Sequence, residues 1–397
     1  MYVTYLILYF SIVVLCLKWS KDYLSPINFI LADTGFRSLL PIIAGGLYFS
    51  TDIVDIRMNI SLIIQLLGLF FSFYLFNFLA TKRHVNNTAA YFSSPRFPVW
   101  LVHLFLSGAI FSLCCVFIFG NWSALAWLEN PREGYQYGRK GVGLFYILFI
   151  LFINLSWISF IAGSDKFSNL LKILITLFVF YLAYLSGSKR VMVTLVLFYF
   201  LYRNMYVARL KFFQVVGVGF ALILSFIVYF LMGSGGLSDI IGYFSYFQTT
   251  QEIYGRLEYG LLEFQGGLIN SSRVWEFIPR FFYAEKPFVY GGAFVTEIIS
   301  PGQSEKGHNL GMMDFTAYYL DFGQLGVLMH AVFTGSYAGL IYGMLKKKKS
   351  SFVFLLLYLS LFSNILASSP NILFLTLLCC FYITHLFYKQ FIRVKQY

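Results

Sequence analysis

The chain is 397 residues long, of which 59% are hydrophobic and only 12% carry charge, against about 25% charged residues in soluble domains. This excludes an ordinary soluble protein and points to an all-α polytopic membrane protein, because apolar runs long enough for a ~30 Å hydrocarbon core recur along almost the whole length. The formal net charge of +12 gives no sign of nucleic-acid binding: the basic residues form no continuous patch outside the apolar runs, and they read as a topology signal.

Met1 to Leu17 is apolar but lacks a basic leader and a small-residue cleavage site, so it reads as a first span and not as a removable signal peptide. The second span, near 27–50, has a clean apolar part only from Leu39 to Phe49. Starting it at Pro26, with Ser25 as N-cap, gives it the length to cross. Asp33 and Arg37 then lie four apart on one helix face, where they can pair. Further spans are expected at 59–80, 98–119, 141–162, 168–187, 189–204, 210–232, 324–345, 351–369 and 371–388, about eleven in all. Cys16, Cys114, Cys115, Cys379 and Cys380 all fall within apolar runs without CxxC spacing, so neither a disulfide framework nor a zinc site is indicated.

Orientation follows from lysine and arginine in the short loops. Lys18, Lys21, Lys82, Arg83, Arg96, Lys166, Arg203, Arg209, Lys211, the run Lys346 to Lys349 and the tail Lys389, Arg393 and Lys395 fall on one side, with Arg37 and Lys172 counted there as helix-end residues. That side holds most of the 29 basic residues and few of the 17 acids. It reads as cytoplasmic, with the C-terminus inside and the N-terminus outside. The organisation is then an N-terminal helix bundle (1–232), a long structured outer loop (233–323) and C-terminal helices with a tail (324–397). Within the loop, "LSDIIGYFSYFQTTQEIYGRLEYGLLEF" places Ile240, Ile241, Phe244, Phe247, Tyr254, Leu257 and Leu261 at roughly helical spacing, an amphipathic helix. "SSRVWEFIPRFF" reads as a second short helix stopped before Pro279. "GSGG" at 233 and "YGGAF" at 290 read as backbone hinges.

The outer face collects cations that the positive-inside rule does not call for. Lys189 and Arg190 lie in the tight turn "SGSKRVM"; Arg256, Arg273, Arg280 and Lys286 lie in the long loop; Arg132, Arg139 and Lys140 lie between two earlier spans. Arginine offers a planar fork for phosphate oxygens and lysine a compact charge, so a diphosphate at headgroup depth suits such a set. The competing reading is salt bridging to Glu258, Glu263 and Glu276, except at Arg190, which has no acid nearby in sequence. Of the five histidines, His84, His103 and His385 lie at or near cytoplasmic loops and His330 lies within a span; His308 alone falls in an outer loop, beside Asn309 and near Asp314. An imidazole there can serve as a general base or remain an ordinary polar residue. HExxH, Asp-rich metal, GxSxG and P-loop patterns do not occur, so no metal or other cofactor is expected. Outer-loop Tyr and Trp side chains, including Tyr246, Tyr254 and Tyr290, could stack on sugar rings or simply form an interfacial belt.

"IPRFFYAEKPFVYGGAFVTE", "GHN" and "YYLDFGQLG" resemble the outer-loop signature of Wzy-type O-antigen or oligosaccharide repeat-unit polymerases. That family resembles the O-antigen ligases in architecture, and "SGSKR" stands where both carry a "GSR"-like turn. Arg132 to Gly143, Arg256 to Gly267 and Arg280 to Gly291 fit the Arg-x10-Gly spacing of the polymerase loops. The resemblance implies metal-independent glycosyl transfer on the periplasmic face of a bacterial inner membrane. The donor would be a glycan on undecaprenyl diphosphate and the acceptor a lipid-linked repeat unit. Lys189, Arg190, Arg256, Arg273, Arg280 and Lys286 would hold the diphosphate, and His308 would take the proton of the acceptor hydroxyl. A chain-length regulator protein is a candidate partner beside the lipid bilayer. An O-antigen ligase and a lipid-linked oligosaccharide flippase are the alternatives. The flippase is disfavoured by the lack of an internal repeat and by charges gathered at the surface, not at mid-membrane.

Overall fold

The computed structural model describes residues 2–20, 22–44, 53–81, 99–120, 123–138, 142–232, 246–278, 283, 285–287, 289–303, 310–347 and 352–365. Among the described residues there are only helices and turns. In chain order the helices are α1 (Tyr2–Ser20), α2 (Pro26–Ala44), α3 (Ile53–Thr81), α4 (Trp100–Phe119), α5 (Ala124–Glu129), α6 (Gly143–Gly163), α7 (Asn169–Leu185), α8 (Lys189–Tyr202), α9 (Phe212–Met232), α10 (Tyr246–Glu258), α11 (Leu268–Ser272), α12 (Gly292–Ile299), α13 (Thr316–Lys347) and α14 (Phe352–Ile365). Five of them, α1, α3, α4, α6 and α13, are long and apolar enough to cross a membrane. The protein is therefore an all-helical, multi-pass membrane protein. The other expected spans fall on α2, α7, α8, α9 and α14, while 371–388 lies outside the described residues.

The chain divides into two compact units. The first contains residues 1–88, 209–278 and 285–347. Its centre is the pairing of α3 with α13. Gly335, Gly339 and Gly343 recur every fourth residue along one face of α13 and let the two backbones approach. A Cβ at Gly335 would overlap Ser72 Oγ, one at Gly339 would overlap the Phe73 carbonyl oxygen, and one at Gly343 would stand 2.5 Å from Ala80 Cβ. With little hydrophobic drive between helices in lipid, such close small-residue packing is what holds them together. Helix α13 is interrupted at Gly323, whose φ of 61° and ψ of −143° are not helical. Only glycine adopts that conformation at low cost, and the stretch after it matches the expected span at 324–345.

Side-chain bonds fix the sense of the helices in this unit. At one end, the Tyr342 hydroxyl on α13 donates to Asp22 Oδ2 at 2.5 Å, and Tyr23 packs edge-on against Phe212 at the start of α9. At the other end, Tyr2 and Gln251 donate to Asp55 near the start of α3, at 2.9 and 2.6 Å. Helices α1, α3 and α13 thus run one way, and α2 and α9 run back. The first end carries Lys18, Arg209, Lys211, Lys346 and Lys347; the second carries Asp55, Glu258, Asp314 and the loop helices.

The second unit contains residues 89–208, 279–284 and 348–397. Here α4 packs on α6, with Gly108 admitting the Phe152 ring. The indole of Trp157 on α6 donates to the Leu195 carbonyl of α8 at 2.7 Å. Between α4 and α6 the chain forms α5, a single turn at Pro131–Glu133 and a π-helical turn at Gly134–Gly138.

Candidate functional site

The long loop of the first unit is built on the start of α13. Phe247, Thr250, Ile253 and Tyr254 are buried along one face of α10; of the residues expected on an amphipathic helix here, Ile240, Ile241 and Phe244 lie outside the described residues. Leu261 was expected on that face; it lies beyond the helix end and is exposed. Thr250 Oγ1 shares a 2.9 Å bond with Thr316 and accepts from the Met313 N–H at 3.0 Å. Tyr254 stacks face to face on Tyr319, with centroids 3.7 Å apart, and its hydroxyl donates to Ser61 Oγ at 2.6 Å. Burial raises the Tyr254 pKa well above the ordinary tyrosine value, so it stays a neutral donor. Ser61 in turn donates to Gln324 Oε1 at 2.8 Å, next to the Gly323 bend.

Arg37 joins α2 to this assembly. It pairs with Asp33 as expected, at 3.1 Å, and also with Asp314 at 2.7 Å. Its guanidinium lies 4.8 Å from the centre of the Tyr246 ring. Arg37, expected on the basic side, instead stands at the loop end of this unit, because its partner Asp314 belongs to the long loop at the opposite end of α13 from Asp22. Nearby, Arg57 pairs with Glu258 at 2.7 Å.

Arg273 is the cation this framework presents. Helix α11 ends at Ser272 and Arg273 opens a 3₁₀ turn to Phe277. Asp321 on α13 holds α11 from below: its carboxylate accepts from the backbone N–H of Ile269 at 3.1 Å, that of Asn270 at 2.8 Å and the Asn270 side-chain amide at 2.7 Å. The guanidinium carbon of Arg273 stands 5.8 Å from the centre of the Tyr318 ring. Among the described side chains, which do not include that of Glu276, Arg273 forms no ion pair, and its buried Nε has no hydrogen-bond partner. Tyr318 also packs on His330, 5.1 Å between ring centres. His330 Nδ1 lies 3.2 Å from Gln65 Oε1, and both Asp314 and Arg273 act on the ring electrostatically.

In the second unit the "SGSKR" turn is a clamped hairpin. Gly187 has φ of 65°, and a Cβ there would overlap the Pro131 carbonyl oxygen, so glycine is required on both counts. Three successive carbonyls of the turn are taken by donors from the connection between α4 and α6 and from the start of α6: Trp127 Nε1 to Leu185 at 2.8 Å, the Tyr146 hydroxyl to Ser186 at 2.8 Å and Arg132 to Gly187 at 3.5 Å. Lys189 and Arg190 then open α8, with Lys189 exposed and Arg190 half-buried near the phenols of Tyr135 and Tyr146.

The remaining expected site residues are placed less openly. Arg256 pairs with Glu252 one turn back at 2.7 Å, and Glu258 has gone to Arg57 instead. Lys286 is buried; its Nζ donates to the Ile278 carbonyl at 3.0 Å and lies 4.5 Å from the centre of the Tyr290 ring. His308 and Arg280 lie outside the described residues, as do Asn309, Arg139 and Lys140. Asp314, Tyr318, Asp321, His330 and Trp127 were not singled out as site residues from sequence. Tyr318 and Asp321 were in view within "YYLDFGQLG", but nothing in that string gives their partners some fifty residues earlier. Among the described residues no group of three or more His, Cys, Asp or Glu is gathered as a metal site requires.

Comparison with known proteins adds a distant similarity. The chain is 21% identical over 259 residues to the O-antigen polymerase of Salmonella typhimurium, and equally to that of Salmonella typhi, covering 62% of this chain and 62% of each relative. The chain thus spans about three fifths of the length of the curated relatives it matches. No family model and no solved structure matches it.

Proposed function

We propose that this protein is a glycosyltransferase of the bacterial inner membrane that polymerises undecaprenyl-diphosphate-linked oligosaccharide repeat units into O-antigen or a related surface polysaccharide, working on the periplasmic face. The observation that carries the reading is the 259-residue similarity to two O-antigen polymerases. The segregation of charge in the first unit agrees with it: the lysine- and arginine-rich end of α13 would be cytoplasmic, and the loop end periplasmic.

In this reading a hydroxyl oxygen of the acceptor's terminal sugar attacks the anomeric carbon of the donor glycan. The new C–O glycosidic bond forms as the bond to the lipid diphosphate breaks, and the bonding pair leaves with the diphosphate. The acceptor proton passes to His308 as general base. The leaving group is already activated, so neither a nucleotide nor a metal is required by the balance of the reaction. Arg273 is the leading cation for diphosphate oxygens in the first unit; Lys189, Arg190 and Arg280 are candidates from the sequence. Arg256 and Lys286 contribute less, since Glu252 and the Ile278 carbonyl already hold them.

Complementation of a strain lacking the protein tests the function, with surface polysaccharide resolved on a gel and membrane levels matched. The wild-type gene is expected to restore a ladder where the deletion leaves a single repeat on lipid A–core, and Arg273→Ala, Arg190→Ala and His308→Ala are expected to shorten or abolish it. A deletion that leaves bare core while lipid-linked polymer accumulates would instead make the protein a ligase.

A further inference from the structure

We infer that Asp321 and Tyr318 are positioning residues that hold the Arg273 guanidinium in place for a lipid-linked diphosphate. The inference rests on the polymerase reading above for the identity of the anion, but its geometry is independent of it. Both residues come from the short helical stretch Thr316–Phe322, which the Gly323 bend sets apart from the rest of α13. They act on Arg273 in two ways.

Asp321 acts through the backbone. A five-residue helix such as α11 is too short to persist alone, and its N-cap residue, Gly267, supplies no side chain to the first N–H groups. Asp321, fifty residues later in sequence, fills that role: it is 2% exposed and accepts three hydrogen bonds from Ile269 and Asn270. A carboxylate at a helix N-terminus satisfies orphan donors and opposes the helix dipole. The bond from Gln265 N–H to the Leu320 carbonyl, at 2.9 Å, ties the approach to α11 to the same stretch. At the other end of α11, Ser272 Oγ accepts from the Gly291 N–H at 2.9 Å. The helix is thereby fixed at both ends, and the next residue is Arg273.

Tyr318 acts on the side chain. Its ring supports the guanidinium from one face without neutralising it. This differs from Arg37, Arg57 and Arg256, each of which has an acid. Oriented by a ring and a capped helix, with its buried Nε unpaired and no ion pair to a described side chain, the guanidinium is a planar fork suited to phosphate oxygens.

The test uses the full chain purified in detergent, measuring Kd for undecaprenyl diphosphate, together with KM and kcat in membranes supplied with lipid-linked repeat units. Asp321→Asn keeps the volume but turns an amide toward N–H donors. It is expected to raise Kd and KM about tenfold with kcat largely kept. On an Arg273→Ala background the same change is expected to alter Kd by less than about twofold, because the residue acts through Arg273. Tyr318→Phe, which keeps the ring, is expected to match wild type, whereas Tyr318→Leu weakens binding. Additive effects of Asp321→Asn and Arg273→Ala would make Asp321 a structural residue only and overturn the inference. If Asp321→Asn does not accumulate, the Tyr318 pair decides: equal behaviour of Phe and Leu overturns it. A wild-type protein that neither binds undecaprenyl diphosphate nor polymerises would remove the polymerase reading itself, and this inference with it.

Discussion

Replacing Arg37 by alanine should be among the most damaging single changes to the first unit. The arginine side chain is 8% exposed, and its partners Asp33 and Asp314 are 17% and 25% exposed. Its Nε and Nη2 engage both oxygens of Asp33, at 3.2 and 3.1 Å, while Nη1 reaches Asp314 at 2.7 Å. Removing it leaves two carboxylates facing each other with no cation between them. Breaking a buried pair in this way costs about 3–5 kcal/mol, and the partial exposure of Asp314 puts the value near the lower end. At about 3 kcal/mol the melting temperature of the protein in detergent, followed by thermal unfolding, should fall by roughly 5 °C.

The cost comes from the stranded carboxylates more than from the lost attraction. The triple variant Arg37→Met, Asp33→Asn, Asp314→Asn should therefore recover much of the loss. Arg37→Lys should fall between wild type and alanine, because a lysine cannot reproduce the fork. An Arg37→Ala protein melting within a degree of wild type, or a triple variant no better than Arg37→Ala, would refute the reasoning.

Arg57→Gln should cost well under 1 kcal/mol despite its 2.7 Å contact with Glu258, because the arginine side chain is 44% exposed; a melting curve matched to that of Arg37→Ala checks the contrast. Gly339→Leu should separate α3 from α13, since its Cβ already overlaps the Phe73 carbonyl, and should sharply lower the amount of folded protein extracted from membranes. Trp127→Phe removes the donor to the Leu185 carbonyl and should cost about 1–3 kcal/mol for the unsatisfied group; Trp127→Ala, which adds a cavity, should cost about 3–5 kcal/mol, both read by thermal unfolding. Tyr254→Phe keeps the stack on Tyr319 and leaves Ser61 bonded to Gln324, so its melting temperature should drop by only a degree or two, about 1 kcal/mol.

What the sequence showed, it showed through local spacing. Asp33 and Arg37 lie one helical turn apart, so their pairing follows from helix geometry, and Pro26 does open α2. The Ser25 hydroxyl, however, has no hydrogen-bond partner, and the Ser25 carbonyl alone accepts, from Phe29. Helix α3 starts at Ile53, ahead of the expected 59, because Asp55 and Arg57 resemble loop residues until their partners are known. Those partners are Tyr2, Gln251 and Glu258, none of them local. Asp314 lies 277 residues from Arg37 and Asp321 about fifty from α11. No period or motif encodes such pairings; they follow only once α3 and α13 have packed through their glycines. The same holds for the "SGSKR" turn: its tightness was legible, but the Trp127 and Tyr146 donors that clamp it come from a distant part of the chain.

The loop end of the first unit presents a physical difficulty for any anionic substrate, because it is rich in carboxylates. The pairings resolve much of it. Asp33 and Asp314 share Arg37, Glu258 meets Arg57 and Glu252 meets Arg256. Asp55 accepts from Tyr2 and Gln251, Glu297 accepts from the Gly302 N–H, and Asp321 is spent on α11. Each of these acids is thus neutralised or hydrogen-bonded within the fold, and the arginines that do the neutralising are spent as well. Arg273 is treated differently: it sits beside a tyrosine ring and on a capped helix, with no ion pair to any of the described side chains. A fold that pairs its other described arginines at this end with acids, and leaves this one to be oriented by neutral groups, concentrates positive potential at one place. That is the electrostatic condition a diphosphate would need, so under the polymerase reading the many acids at this end of the unit are no obstacle to an anionic lipid substrate.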